Sequence, residues 1–161
     1  MTDDHARTDA GAGSDPRPAR AAPLPGPVPG PDVGLPTTAA AARTLVRGRL
    51  ALGAPDLQDE EAGARVLADA LLVTSELVTN AIRHGGGLTA FDLWITEDGL
   101  ILNVGDASPC LPVTTDLDKR RKDQIGGFGW PLVCRLARHV AVTALPDGKQ
   151  ITVLIRLAPP A

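Results

Sequence analysis

The stretch from Leu71 to Gly87, Leu-Leu-Val-Thr-Ser-Glu-Leu-Val-Thr-Asn-Ala-Ile-Arg-His-Gly-Gly-Gly, constrains this chain more than any other. At about 100° per residue, Val66, Ala70, Leu71, Val73, Leu77, Val78, Ala81 and Ile82 fall on one broad arc, which predicts a helix with one face in a core. Asp69, Glu76, Asn80 and Arg83 share a narrow polar stripe outside that arc. Glu76 and Asn80 stand four residues apart, so their side chains project together, one turn from each other. A carboxylate and a carboxamide in that relation suit a single ligand or ion. The helix is predicted to start near Asp59, where Asp59, Glu60 and Glu61 complement a helix N-terminus, and to stop at Gly85-Gly86-Gly87, because glycine readily takes the left-handed conformation that closes helices.

The flanking segments supply the scaffold. Thr37 and Thr38 can each cap a preceding helix, over Ala39 to Leu52, with Ala42, Leu45, Val46 and Leu50 at helical spacing, and Gly53-Ala54-Pro55 ends it. Beyond the central helix, Phe91, Leu93 and Ile95 alternate with polar or small neighbours, the mark of a half-buried strand. Glu97-Asp98-Gly99 makes a hairpin turn, and the return strand, with Leu100, Leu102 and Val104 on one face, delivers Asp106 to its end. Ala107 to Ile125 lacks periodicity and carries Pro109, Pro112 and a charged run from Asp116 to Asp123, as expected of a lid or a disordered loop. Gly126, Gly127 and Gly129 close it. Pro131 suits the first turn of a helix with Leu132, Val133, Leu136 and Ala137 on its apolar side. Strands over Val140–Ala144 and Ile151–Ile155, joined at Pro146-Asp147-Gly148, finish the chain. This order predicts an α+β fold, a two-layer α/β sandwich with helices on one face of a mixed, mostly antiparallel sheet.

Composition narrows the remaining choices. Residues 1–36 are rich in proline, alanine and glycine and have no apolar period, so they read as a disordered tail, leaving residues 37–161 as one domain of the 161-residue chain. A net charge of -3, no tyrosine, two phenylalanines and two tryptophans give no platform for nucleic acid, and the basic run Lys119-Arg120-Arg121-Lys122 is offset by Asp116, Asp118 and Asp123. Cys110 and Cys134 have no metal-site spacing and read as buried or idle free thiols. No apolar run is long enough to span a bilayer and no signal peptide is recognisable, so a cytoplasmic location without membrane attachment is expected. His5, His84 and His139 have no catalytic setting; His84 suits hydrogen bonding at a helix end.

Three separated features then converge in order and spacing: the Glu76/Asn80 stripe, Asp106 at a strand end, and glycines opening a helix. The run Ser75-Glu76-Leu77-Val78-Thr79-Asn80-Ala81-Ile82-Arg83-His84 resembles the N box of the GHKL ATPases, the superfamily of gyrase, histidine kinases and MutL. The Ser-Glu-Leu-Val-Thr-Asn-Ala form, together with Asp106-Ala107-Ser108-Pro109 and Pro112, is similar to the stand-alone anti-sigma-factor serine/threonine kinases. The resemblance covers roughly Ala39 to Leu157.

It implies a Bergerat-type fold that binds ATP with Mg²⁺. In that reading Asn80 is the metal ligand, Glu76 the general base, and Asp106 the acceptor for the adenine amino group. Gly127 and Gly129 would bring backbone N–H groups to phosphate, and Arg83, Lys119 and Arg120 join the cofactor-binding candidates. The implied partners are an anti-sigma-factor antagonist of STAS type and a sigma factor, with a homodimer as a common arrangement. The alternative is a nucleotide-sensitive module that sequesters a regulator without chemistry. The chain departs from the wider pattern in three places. Ser108 and Cys110 stand where many relatives have glycines after the aspartate, and Trp130-Pro131 replaces a small aliphatic pair. No phosphoacceptor-histidine helix precedes the domain, unlike a complete sensor kinase.

Overall fold

The computed structural model describes residues 34–58, 61–112 and 129–157. Helix α1 (Ala39–Gly53) leads through a 3₁₀ turn (Pro55–Gln58) to the long α2 (Glu61–His84). Strands β1 (Leu88–Thr96) and β2 (Gly99–Asp106) follow, then α3 (Gly129–Leu136), β3 (His139–Leu145) and β4 (Gly148–Ile155). Of the two threonines able to cap α1, Thr38 does so: its hydroxyl accepts from the Ala41 N–H at 3.1 Å. Residues 1–33 of the proposed tail and the charged loop after Pro112 lie outside the described residues.

The four strands form one sheet in the order β1-β2-β4-β3, and all three pairings are antiparallel. The expected α+β two-layer fold is thus the observed one, with hairpins at both turns and β2 paired directly to the last strand. Side-chain alternation sorts the sheet. Phe91, Leu93, Leu100, Leu102, Val104, Ile151, Val153 and Ile155 face the helices and share a core with Val46, Val73, Leu77, Val78 and Val133. The opposite face carries a polar row in which Asn103 donates to Asp92 at 3.0 Å and accepts from Thr152 at 3.0 Å.

Helix α2 lies across this core with Ala70, Val73, Thr74, Leu77, Val78 and Ala81 buried. Two positions differ from the periodic reading. Ile82, placed on the apolar arc, is 41% exposed, whereas its neighbour Ala81 is buried. Thr74, outside that arc, is fully buried, and its hydroxyl donates to the Ala70 carbonyl at 2.7 Å, which removes the cost of burying it.

The C-terminal end of α2 is shaped by glycine. Gly86 has φ +73°, a conformation open to glycine at little cost, and it turns the chain so that the Gly87 N–H returns to the Ala81 carbonyl at 3.0 Å. The register then slips by one residue between Leu88 and Ala90 opposite the end of β2, an irregularity beside Asp106 of the kind that re-aims side chains.

Candidate functional site

Parity along the strands builds the site. Asp106 continues the series Leu100, Leu102, Val104 and therefore points toward the helices, at the point where the apolar filling stops. Its register partner on β4 is Lys149, which continues Ile151, Val153 and Ile155 in the other direction. Two opposite charges consequently meet inside the interlayer space. Lys149 Nζ lies 2.8 Å from Asp106 Oδ1, with both side chains under one-tenth exposed. Lys149 also donates to the Ser108 carbonyl at 3.2 Å, and the Ser108 N–H donates to the same Oδ1 at 2.9 Å. Burying two charges is costly unless they are paired and their hydrogen-bonding capacity is filled, and this arrangement meets that condition for Oδ1. Among the described residues, no donor reaches Oδ2.

These groups border a cavity of about 230 Å³. Helix α2 and its cap contribute Leu77, Asn80, His84 and Gly85; β2 and the segment after it contribute Asp106, Ser108, Cys110, Leu111 and Pro112. Trp130 and the β4 residues Lys149 and Ile151 also line it. The walls are largely apolar, with a few convergent polar groups, the usual make-up of a small-molecule site. Gly85 sets its depth: a methyl group built there would stand 2.6 Å from Asp106 Cγ and 2.7 Å from the Ala81 carbonyl oxygen. A larger cavity of about 410 Å³ between α1, the 3₁₀ turn and α2 contains Arg47 as its sole charged group and none of the candidate residues.

The predicted residues divide between neighbouring places. Asn80 and Asp106 face one cavity. Glu76, one turn earlier on α2, is not part of its lining; its carboxylate lies against Gly129, the first residue of α3, so closely that any side chain at 129 would collide with Oε2. A carboxylate at a helix N-terminus is electrostatically favoured. Just before it, Arg43 on α1 donates to the Ser75 hydroxyl at 3.0 Å and ties α1 to this part of α2. Arg83 is exposed and does not line the cavity. Gly127, Lys119 and Arg120 lie outside the described residues.

The sequence reading missed Lys149, Trp130 as a cavity wall, and Gly85 as a spacer. The signal for Lys149 was its parity: a lysine on the core face of a strand otherwise made of Ile and Val. Both cysteines are free, as expected, and of the two alternatives, buried or idle, burial does not hold: both are exposed. What burial Cys134 has still pushes its thiol up from the ordinary value.

Among the described residues no group of three or more His, Cys, Asp or Glu side chains could hold a metal ion by itself, and no helix is long and apolar enough to cross a membrane. The donor set nevertheless suits Mg²⁺ held mainly by a ligand's phosphates, which asks the protein for only one or two oxygens: the Asn80 side chain faces the cavity and has no hydrogen-bond partner among the described residues.

The family model for the histidine kinase-like ATPase domain matches residues 35–155. Among solved structures the chain is similar to the histidine kinase domain of the blue-light activated histidine kinase EL346 from Erythrobacter litoralis, at 21% identity and a TM-score of 0.43. That match covers 57% of this chain and 45% of the other, so the chain spans under half the length of the protein it resembles. No curated protein matches it.

Proposed function

The chain belongs to the histidine kinase-like ATPase domain family, and from that premise we propose that it is an ATP-binding regulatory protein that phosphorylates a serine or threonine of an anti-sigma-factor antagonist. The observation that carries the reading is the placement of Asn80 and Asp106 on one cavity while Glu76 sits at the adjoining start of α3. Asp106 Oδ2 offers an acceptor to the amino group of a purine, and the apolar walls formed by Leu77, Ile151 and Trp130 suit its ring faces. Asn80 supplies a side-chain oxygen to Mg²⁺, an ion that neutralises charge on the phosphates. Glu76 orients the incoming hydroxyl and takes up its proton. The N-terminus of α3 favours anions and stands where Glu76 can meet a phosphate.

The test is transfer of label from γ-labelled ATP to a purified antagonist protein. Wild type should label the partner, and Glu76→Gln should abolish labelling while retaining both nucleotide and partner binding. Tight complex formation without any transfer by wild type would overturn the kinase reading. It would favour a module that sequesters a sigma factor or another regulator in a nucleotide-sensitive way. One observation supports that second reading: the Glu76 carboxylate occupies the start of α3, the position a phosphate would seek.

A further inference from the structure

The buried ion pair between β2 and β4 has a consequence for base choice that Asp106 alone does not have. Lys149 has three ammonium protons and no acceptor capacity. Two are engaged, by Asp106 Oδ1 and by the Ser108 carbonyl. The lysine borders the cavity, and among the described residues no third acceptor meets it. Oδ1 is held twice, by Lys149 and by the Ser108 N–H, which orients the carboxylate and leaves Oδ2 as an acceptor that no donor among the described residues reaches. The cavity therefore shows an acceptor and a donor side by side.

We infer that Lys149 is a specificity-determining residue that reads a purine jointly with Asp106, its free N–H meeting a ring nitrogen while Oδ2 meets the neighbouring amino group. Adenine carries that amino donor next to a ring-nitrogen acceptor, whereas a 6-oxo purine puts an acceptor where the amine stands. Asp106 Oδ2 accepts and so repels the 6-oxo group, while the Lys149 N–H repels the N–H that a 6-oxo purine carries at the neighbouring ring nitrogen. Without Lys149 the ring-nitrogen half of that discrimination is lost. The inference rests on the cavity being the ATP site.

The experiment is calorimetric titration of ATP and of inosine triphosphate into the full chain, as wild type, Lys149→Met, Lys149→Arg and the double variant Lys149→Met/Asp106→Asn. Wild type should prefer ATP by at least about tenfold, since a site built to bond a donor rejects a ligand lacking it. Lys149→Met should bring the two nucleotides within about threefold, and Lys149→Arg, which keeps a charged donor, should retain most of the preference. The double variant, which leaves no unpaired charge to destabilise the fold, should show no preference.

Equal weakening of both nucleotides with the ratio preserved overturns the role of Lys149 while leaving ATP binding intact. Failure of wild type to bind either nucleotide overturns the ATP site itself and this inference with it.

Discussion

Gly85 and Gly86 are neighbours at the end of α2, yet alanine should fail at them for different reasons. At Gly85 the new methyl would stand 2.6 Å from Asp106 Cγ, 2.7 Å from Asp106 Cβ and 2.7 Å from the Ala81 carbonyl. Ordinary contact between carbon atoms is about 3.5–4.0 Å, so a displacement of roughly 1 Å is required. The carbonyl belongs to the helix. Asp106 must therefore give way, although its Oδ1 is pinned at 2.8 Å by Lys149 and at 2.9 Å by the Ser108 N–H. Overpacking alone costs about 1–3 kcal/mol, and breaking a buried pair costs about 3–5 kcal/mol. Partial stretching of the pair, offset by about 0.4–1 kcal/mol from the lower conformational entropy of the unfolded chain, leaves about 2–4 kcal/mol for Gly85→Ala. At Gly86 the nearest atom would be Ala107 Cβ at 3.5 Å, an ordinary contact, and the cost is that of the left-handed φ of +73°, about 1–2 kcal/mol.

Urea unfolding followed by the fluorescence of Trp94 and Trp130 measures both variants, with m unchanged if the denatured states match. Binding separates them more sharply: Gly85→Ala should weaken ATP at least about tenfold, equivalent to about 1.4 kcal/mol, and Gly86→Ala should leave affinity near wild type. Equal destabilisation with unchanged affinity in both would refute the view that the helix end presses on Asp106.

Leu77, buried in the core and also lining the cavity, should cost about 2–5 kcal/mol when truncated to alanine, measured by the same unfolding assay. Asn80→Ala should weaken ATP at least about tenfold in Mg²⁺, yet leave the affinity measured in chelator unchanged. Cys110 should react with a thiol reagent near neutral pH before Cys134, because burial pushes the Cys134 thiol up and leaves it less thiolate. ATP should shield Cys110, which borders the cavity, and leave Cys134 unshielded; mass mapping of the modified peptides decides this.

The limits of the sequence are physical. Periodicity exposes what one element does with its own faces, so α2, the alternating strands and the Thr38 cap were legible. Asp106 could be placed at a strand end by counting from Leu100. Its partner could not, because Lys149 lies 43 residues away and meets it only through the β2–β4 register. Parity puts that lysine on the core face of β4, but what it meets there is unknown until the pairing of the strands is known. The glycine trio shows the same division. Its role in ending α2 follows from composition, whereas the service of Gly85 as a spacer depends on which atom arrives opposite it.

The charges of the site also explain why Glu76 and Asp106 need different company. Asp106 packs against Gly85 at the C-terminal end of α2, where exposed carbonyls disfavour an anion by a few tenths to about 1 kcal/mol; Lys149 and the Ser108 N–H offset that repulsion. Glu76 has no cationic partner among the described residues and lies at the N-terminus of α3, which favours it. A bound phosphate would seek the same N-terminus, so Glu76 and the nucleotide oppose each other there. At about 4 Å and solvent-like screening two unit charges repel by about 1 kcal/mol. Glu76→Gln should therefore bind ATP about two- to fivefold more tightly than wild type while losing phosphoryl transfer, with the gain shrinking as salt is raised. Calorimetric titration at two ionic strengths measures it, and weaker ATP binding by Glu76→Gln would show that the carboxylate supports the nucleotide instead of competing with it.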